Sequence, residues 1–269
     1  MDAAADAQVS EPAVAVERAD APSPIVLLCD HASNCLPARY GALGLREDDL
    51  IEHFAWDPGA LALSRRLSAL LAAPLVYGCV SRLALDVNRD PSDADAIVET
   101  ADGAVVPGNR GLSASERARR AAEIYAPYHA AVEDLLAKRA REGRRSALVA
   151  IHTYTPVLRG VVRPWHCGVI FDADPRLAET LIERLREEDG LIVGVNQPYA
   201  ACDRVYHTLS RHGDAKGNPS AMIEIRNDLV RDDDSRKAWA MRLAPMLLTA
   251  ARMSLDAGGR GTAQTQEID

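Results

Sequence analysis

The amino-acid sequence predicts a single α/β domain with a mixed, largely parallel central sheet and helices on both faces. Three observations carry that expectation. Residues 25–29, 146–151 and 221–225 are short, almost wholly apolar runs, the composition of strands covered on both sides. Residues 59–73 and 175–188 instead repeat their leucines at helical spacing. The two kinds of segment alternate along the chain without an internal repeat, as a sheet layered with helices requires.

Taken in order, residues 1–22 are Ala, Asp, Glu and Pro with little periodicity and read as a disordered tail. Residues 23–255 form the domain, and 256–269 read as a second tail. The strand 25–29 ends at Asp30-His31. Residues 47–56 form a short helix. The helix 59–73 places Leu63, Leu67, Leu70 and Leu71 on one face and is stopped by Pro74. Residues 75–80 and 83–87 are strand-like. Residues 90–111, rich in Pro, Gly, Asp and Asn, form a loop longer than most, which favours a lid or binding loop. Ser113 or Ser115 caps a helix reaching about residue 141, with Glu116 placed to complete a capping box and Pro127 to kink it. Strand 146–151 ends at His152. A strand 167–171, a helix 175–188, a strand 191–195, a strand 221–225 holding Glu224 and a helix 232–255 bent near Pro245 complete the chain.

Composition narrows the function. The 269 residues carry a net charge of −8, which argues against nucleic acid, since neutralising phosphates takes clustered Lys and Arg. No stretch approaches the ~20 apolar residues of a membrane helix, and no basic segment leads into an apolar run. A soluble, cytoplasmic protein is expected. Five cysteines without a CxxC pair fit buried, reduced thiols.

Three motifs hold the chemistry. His31 directly follows a buried strand, and His152 repeats that arrangement; two imidazoles at strand ends suit metal ligation or catalysis. In Ser81-Arg82-Leu83-Ala84-Leu85-Asp86-Val87-Asn88-Arg89, polar groups alternate with apolar ones and line a pocket, with arginines whose planar forks match a carboxylate. Glu224 lies among Met222, Ile223 and Ile225, where burial opposes its charge unless a metal or arginine offsets the cost. Alone, a strand glutamate is as often an exposed edge residue.

With these motifs in order, the chain resembles the N-formylglutamate amidohydrolases, in a wider group with zinc carboxypeptidases and aspartoacylases. The resemblance runs from about residue 25 to 248. It rests on Asp30-His31-Ala32-Ser33-Asn34 with Pro37, Trp56-Asp57-Pro58-Gly59-Ala60, Ser81-Arg82 with Asp86-Val87-Asn88-Arg89, Pro127-Tyr128-His129, His152 with Pro156, and Glu224-Ile225-Arg226. It implies a zinc-carboxypeptidase-like fold and a divalent metal, Zn²⁺ first, on His31, His152 and a third ligand. Asn34 stands where the group has an acid, so Asp57 and Asp30 also compete for that role. It implies Glu224 as base, Arg82 as the group polarising the scissile carbonyl, and Asp86, Asn88, Arg89 and Arg226 around a substrate carboxylate. His129 and His212 are placed near the substrate, although each also reads as a packed or loop histidine. The implied substrate is a small, carboxylate-bearing N-formyl or N-acyl amino acid. A related hydrolase of another N-acyl or peptide substrate, a metal-free carboxylate binder and a thiol hydrolase using Cys29 or Cys35 are the alternatives.

Overall fold

The computed structural model describes residues 12–261. In chain order they form β1 (Val14–Glu17), β2 (Ile25–Cys29), α1 (Glu47–Leu50), α2 (Ala60–Leu71), β3 (Leu75–Gly78), β4 (Thr100–Ala101), β5 (Ala104–Val105), α3 (Ala114–Arg120), α4 (Ala126–Arg141), β6 (Ala147–Tyr154), β7 (Val157–Leu158), β8 (Val161–Val162), β9 (Cys167–Ile170), α5 (Arg176–Arg186), β10 (Val193–Val195), α6 (His207–His212), β11 (Ser220–Arg226) and α7 (Asp233–Gly261).

Seven strands make one sheet in the order β1-β3-β2-β6-β11-β9-β10. The β3–β2, β2–β6, β6–β11 and β9–β10 pairs are parallel, while β1–β3 and β11–β9 are antiparallel. Period-two alternation splits each central strand between two cores. Ile25, Leu27, Ala147, Val149, Ala221 and Ile223 pack with leucines of α2, α5 and α7. Val26, Leu28, Leu148, Ala150 and Met222 pack against Tyr128, Val132 and Leu135 of α4 and Leu209 of α6. Each fully buried Leu contributes roughly 1.5–3 kcal/mol of transfer free energy.

Several boundaries differ from expectation. The segment 14–17, placed in a tail, is an edge strand paired with β3. The last helix continues through Gly261, past the expected start of a second tail. The remaining tail residues, 1–11 and 262–269, lie outside the described residues. Residues 83–87 form turns and irregular backbone rather than a strand, with no ladder partner among the described residues. The expected helix 47–56 is a single turn followed by further turns. Leu70, expected on the buried face of α2, is exposed, whereas Leu63, Leu67 and Leu71 are buried. The long loop carries a small β4–β5 hairpin.

Ser113 caps α3 by accepting from the Glu116 amide, but the Glu116 side chain turns to Arg119 and Arg120 instead of closing a box. A π-helical turn over Ala121–Tyr125 joins α3 to α4 just before Pro127. Proline lacks an N–H and its ring crowds the preceding turn, so the wider turn accommodates it.

Candidate active site

Strand β6 runs on through Tyr154, so His152 stands within a strand rather than at its end. Its neighbour in register on β11 is Glu224. Both fall on the α4–α6 face, because they lie two residues beyond the paired Ala150 and Met222. Asp30 occupies the matching place just past the end of β2, two residues after Leu28, which pairs with Ala150. One row across three adjacent strands therefore holds Asp30, His152 and Glu224.

Loops complete the site. The turn after β2 supplies His31. Asp57 arrives just before α2, held by its amide donating to the His31 carbonyl at 2.9 Å. The chain then turns at Gly59, whose φ of 87° and contact with Val230, 2.8 Å from where a Cβ would sit, demand glycine. His31, Asp57 and His152 are buried, with one ligand atom from each lying within 4.8 Å of the others.

The hydrogen bonds set the tautomers. His31 Nε2–H donates to Asp86 Oδ1 at 2.7 Å, and His152 Nε2–H donates to Asp30 Oδ2 at 2.9 Å. Both Nδ1 atoms are thereby turned toward Asp57 Oδ2, at 3.4 Å from His31 and 2.8 Å from His152. Two lone pairs facing each other at 2.8 Å need a positive species between them, a proton or a cation. Burial acts to lower the pKa of both imidazoles, but the carboxylates outweigh it and raise them, His152 strongly. Against its burial, Asp57 is held well below the carboxylate range by the Arg82 guanidinium and then by the two imidazoles, and Asp30 is drawn down to about 2, chiefly by His152. Glu224 goes the other way. Burial pushes it up to about 7, and Asp57 adds to the rise against the histidines and Arg82. Its Oε2, like Asp57 Oδ1 and His53 Nδ1, is buried without a hydrogen-bond partner among the described residues.

A pocket of about 140 Å³ gathers His31, Asp57, Arg82, Asp86, Asn88, Arg89, His152 and Glu224. Arg82 is pinned to the turn before Asp57 through the carbonyls of His53 and Phe54, and its Nη1 lies 3.2 Å from His31 Nδ1. Asp86 lines the pocket as expected and also orients His31 through its Oδ1. Asn88 accepts from the Thr208 amide and donates to the Val205 carbonyl. Arg89 donates to the Asp203 carbonyl and is only loosely paired, 4.0 Å from Asp86 and 3.8 Å from Asp95.

Four expected site residues fall elsewhere. Asn34 spends its amide on the Leu50 carbonyl at 3.0 Å and does not join the His–Asp–His group. Arg226, at the last position of β11, pairs with Asp228 at 2.8 Å and does not line the pocket. His129 and His212 lie behind the turn that carries Asn88 and Arg89, hydrogen-bonded to each other at 2.8 Å, and His129 Nε2–H donates to the Val87 carbonyl. They support the turn rather than line the pocket. His53 and Tyr199, by contrast, do line it, and no local motif marked them. A larger cavity of about 580 Å³ opens at the opposite end of β6 and β11, and of all these residues it touches only His212.

Residues 23–231 match the family model of N-formylglutamate amidohydrolase. The chain belongs to this family. Membership makes it a hydrolase of amide bonds. Among solved structures, the gene product Atu2144 from Agrobacterium tumefaciens is similar, with 40% identity, a TM-score of 0.88, and 91% of this chain and 97% of the other covered. The N-formylglutamate amidohydrolase from Ralstonia eutropha JMP134 shares the fold at a TM-score of 0.71 and 19% identity, over 92% of this chain and all of the other. No curated protein matches the chain. Among the described residues, no helix of this amidohydrolase is long and apolar enough to cross a membrane.

Proposed function

We propose that the protein hydrolyses the amide of an N-formyl or N-acyl amino acid, N-formylglutamate being the first candidate, in a metal-dependent reaction. The observation that carries this reading is the tautomer arrangement: carboxylates hold the far nitrogen of both histidines, so two imidazole Nδ1 atoms and one carboxylate oxygen converge.

The residues fit a divalent cation. Two nitrogens and one oxygen are the donor set of catalytic zinc sites, and outer carboxylates behind the histidines are their usual support. Asp57, not Asn34, is the third ligand in this reading. When bound there, such an ion would act as a Lewis acid toward the scissile carbonyl and activate a water. Arg82 Nη1 must then release His31 Nδ1, which frees the guanidinium to stabilise the developing oxyanion. Glu224, with a pKa near 7, takes the proton of the attacking water and hands it to the departing nitrogen. Arg89 and the remaining N–H of Asn88 hold the substrate carboxylate and align the amide beside Glu224. Glutamate and formate would be the products from N-formylglutamate.

The test is to chelate the purified protein, reload it with zinc or another divalent ion, and assay N-formyl, N-acetyl and N-formimidoyl amino acids. Loss of turnover on chelation and recovery on reloading is expected, with formyl substrates fastest. Full turnover in chelated protein would remove the metal from the mechanism. Activity confined to another acyl group would move the substrate assignment while keeping the site.

A further inference from the structure

Thr208 lies in the first turn of α6, wholly buried, and stands outside the wall of the catalytic pocket. Its two donors nevertheless reach both halves of the site. The hydroxyl donates to Asp30 Oδ1 at 2.8 Å, and the amide donates to Asn88 Oδ1 at 2.9 Å. Asp30 holds His152 through its other oxygen. The Asn88 amide donates to Asp86 Oδ1 at 2.8 Å, the same oxygen that accepts from His31 Nε2–H. One chain of hydrogen bonds therefore runs from His31 through Asp86, Asn88, Thr208 and Asp30 to His152. It closes at Asp57 Oδ2, which both Nδ1 atoms face.

Hydrogen bonds to an ionised carboxylate are the strong ones, and a buried oxygen deprived of a donor is costly. Asp30 Oδ1 has two such donors, Thr208 and the Tyr128 hydroxyl at 2.7 Å. They are not equivalent. The Tyr128 hydroxyl bonds Asp30 alone, whereas Thr208 binds Asn88 as well. The Asn88 carboxamide is gripped a second time by the Val205 carbonyl, so residues 205–208 fix both of its ends. A shift of that segment moves Asn88 and the carboxylate behind His152 together.

We propose that Thr208 is a positioning residue that couples the metal-holding histidines to the carboxylate-binding turn: its hydroxyl sets Asp30 behind His152, while its amide sets Asn88 and, through Asn88, the support of His31. The proposal rests on the metal-dependent amidohydrolase reading for what the histidines and Asn88 bind, but the tie itself can be tested without metal or turnover. Zinc affinity would be measured by competition with a chromogenic chelator, and KM for N-formylglutamate at saturating zinc. Thr208→Val, which keeps the shape and removes the hydroxyl, should weaken zinc binding by about 10–100-fold, the usual cost of losing a support behind a metal ligand. It should also raise KM severalfold, whereas a merely loosened fold would lower kcat through the active fraction and leave KM alone. Thr208→Ser, which keeps the hydroxyl, should bind zinc and substrate as wild type does. Tyr128→Phe should weaken zinc binding with KM unchanged. In chelated protein, amide exchange read by mass spectrometry should quicken in Thr208→Val over residues 86–89 as well as 205–212. Thr208→Ala serves in all three measurements if Thr208→Val fails to fold. Unchanged zinc affinity or KM in Thr208→Val, a Thr208→Ser as weak as Thr208→Val, a KM rise shared by Tyr128→Phe, or quickened exchange confined to 205–212 would overturn the proposal. A wild type that holds no zinc, or cleaves no N-acyl amino acid, while Thr208→Val quickens exchange in both segments would instead sink the metal-dependent hydrolase reading and leave Thr208 tying the two histidine supports.

Discussion

At the residue scale, the placement of Glu224 is the sharpest consequence of the sheet. Its carboxyl shares a row with His152 and leaves one oxygen unbonded, so removing its basicity should stop proton transfer without disturbing its neighbours. Glu224→Gln should lower kcat by about 10²–10⁴-fold, the usual range for a positioned acid or base, while bound metal per chain, read by atomic emission, stays unchanged. Near-normal turnover in that variant would mean that another group accepts the proton. Much of this site could be read from the chain. His31, His152, Arg82, Asn88, Arg89 and Glu224 stood out because each is a polar side chain set against an apolar run. The third member of the histidine group was harder. Asn34 is near His31 in sequence, but its amide has a carbonyl to satisfy; Asp57 is remote in sequence and arrives through the turn at Gly59. The roles of Asp30 and Asp86 as supports for the histidines depend on tautomers, which only the assembled contacts define.

At the scale of elements, α4 and α6 meet through a stack of imidazoles. His129 and His212 lie with ring centroids 5.1 Å apart, and His207 bonds Tyr125 at 2.7 Å across the same junction. Burial depresses His129 to about 4 and His212 to about 3, and lowers His207 as well; Arg211 opposes protonation of all three, whereas Asp30 favours it. The folded state therefore binds fewer protons than the unfolded chain below the ordinary histidine value near 6.5. These groups support folding fully above that pH, and the support is lost as pH falls from about 6.5 toward 4, at about 1.4 kcal/mol per group for each unit of depression. Urea unfolding at pH 7.5 and pH 5 should show a smaller acid loss in His212→Gln than in wild type, since the amide keeps an N–H for His129 but does not titrate. An identical loss in both would assign the acid sensitivity to other groups. The longer helices were legible from leucine spacing and proline, whereas α6 was not, its histidines reading as loop residues. The π-helical turn before Pro127 was not, because nothing in spacing separates a kink from a widened turn.

At the scale of the whole molecule, the layered sheet followed from the alternation of apolar runs and amphipathic stretches, yet strand order did not. The antiparallel β9 against β11 and the return of β1 to the far edge depend on long-range pairing that local pattern does not encode. Segment 14–17 reads as tail because its Ala and Glu residues give too short a pattern to show period two. Its backbone nevertheless pairs with β3 from Val14↔Gly78 to Glu17↔Leu75, and Glu17 ties it to Arg65 and Tyr77.

That outer strand lies before residue 23, where the family match begins. A protein trimmed to that limit would keep every group discussed at the candidate active site and lose the hem of its sheet. Unhemmed, β3 would offer a row of unpaired amides and carbonyls to any passing strand. The trimmed chain should melt at a lower temperature and show an apparent mass that climbs with concentration in light scattering, beyond anything the full chain shows. Unaltered melting and mass would mean that the border needs no cover.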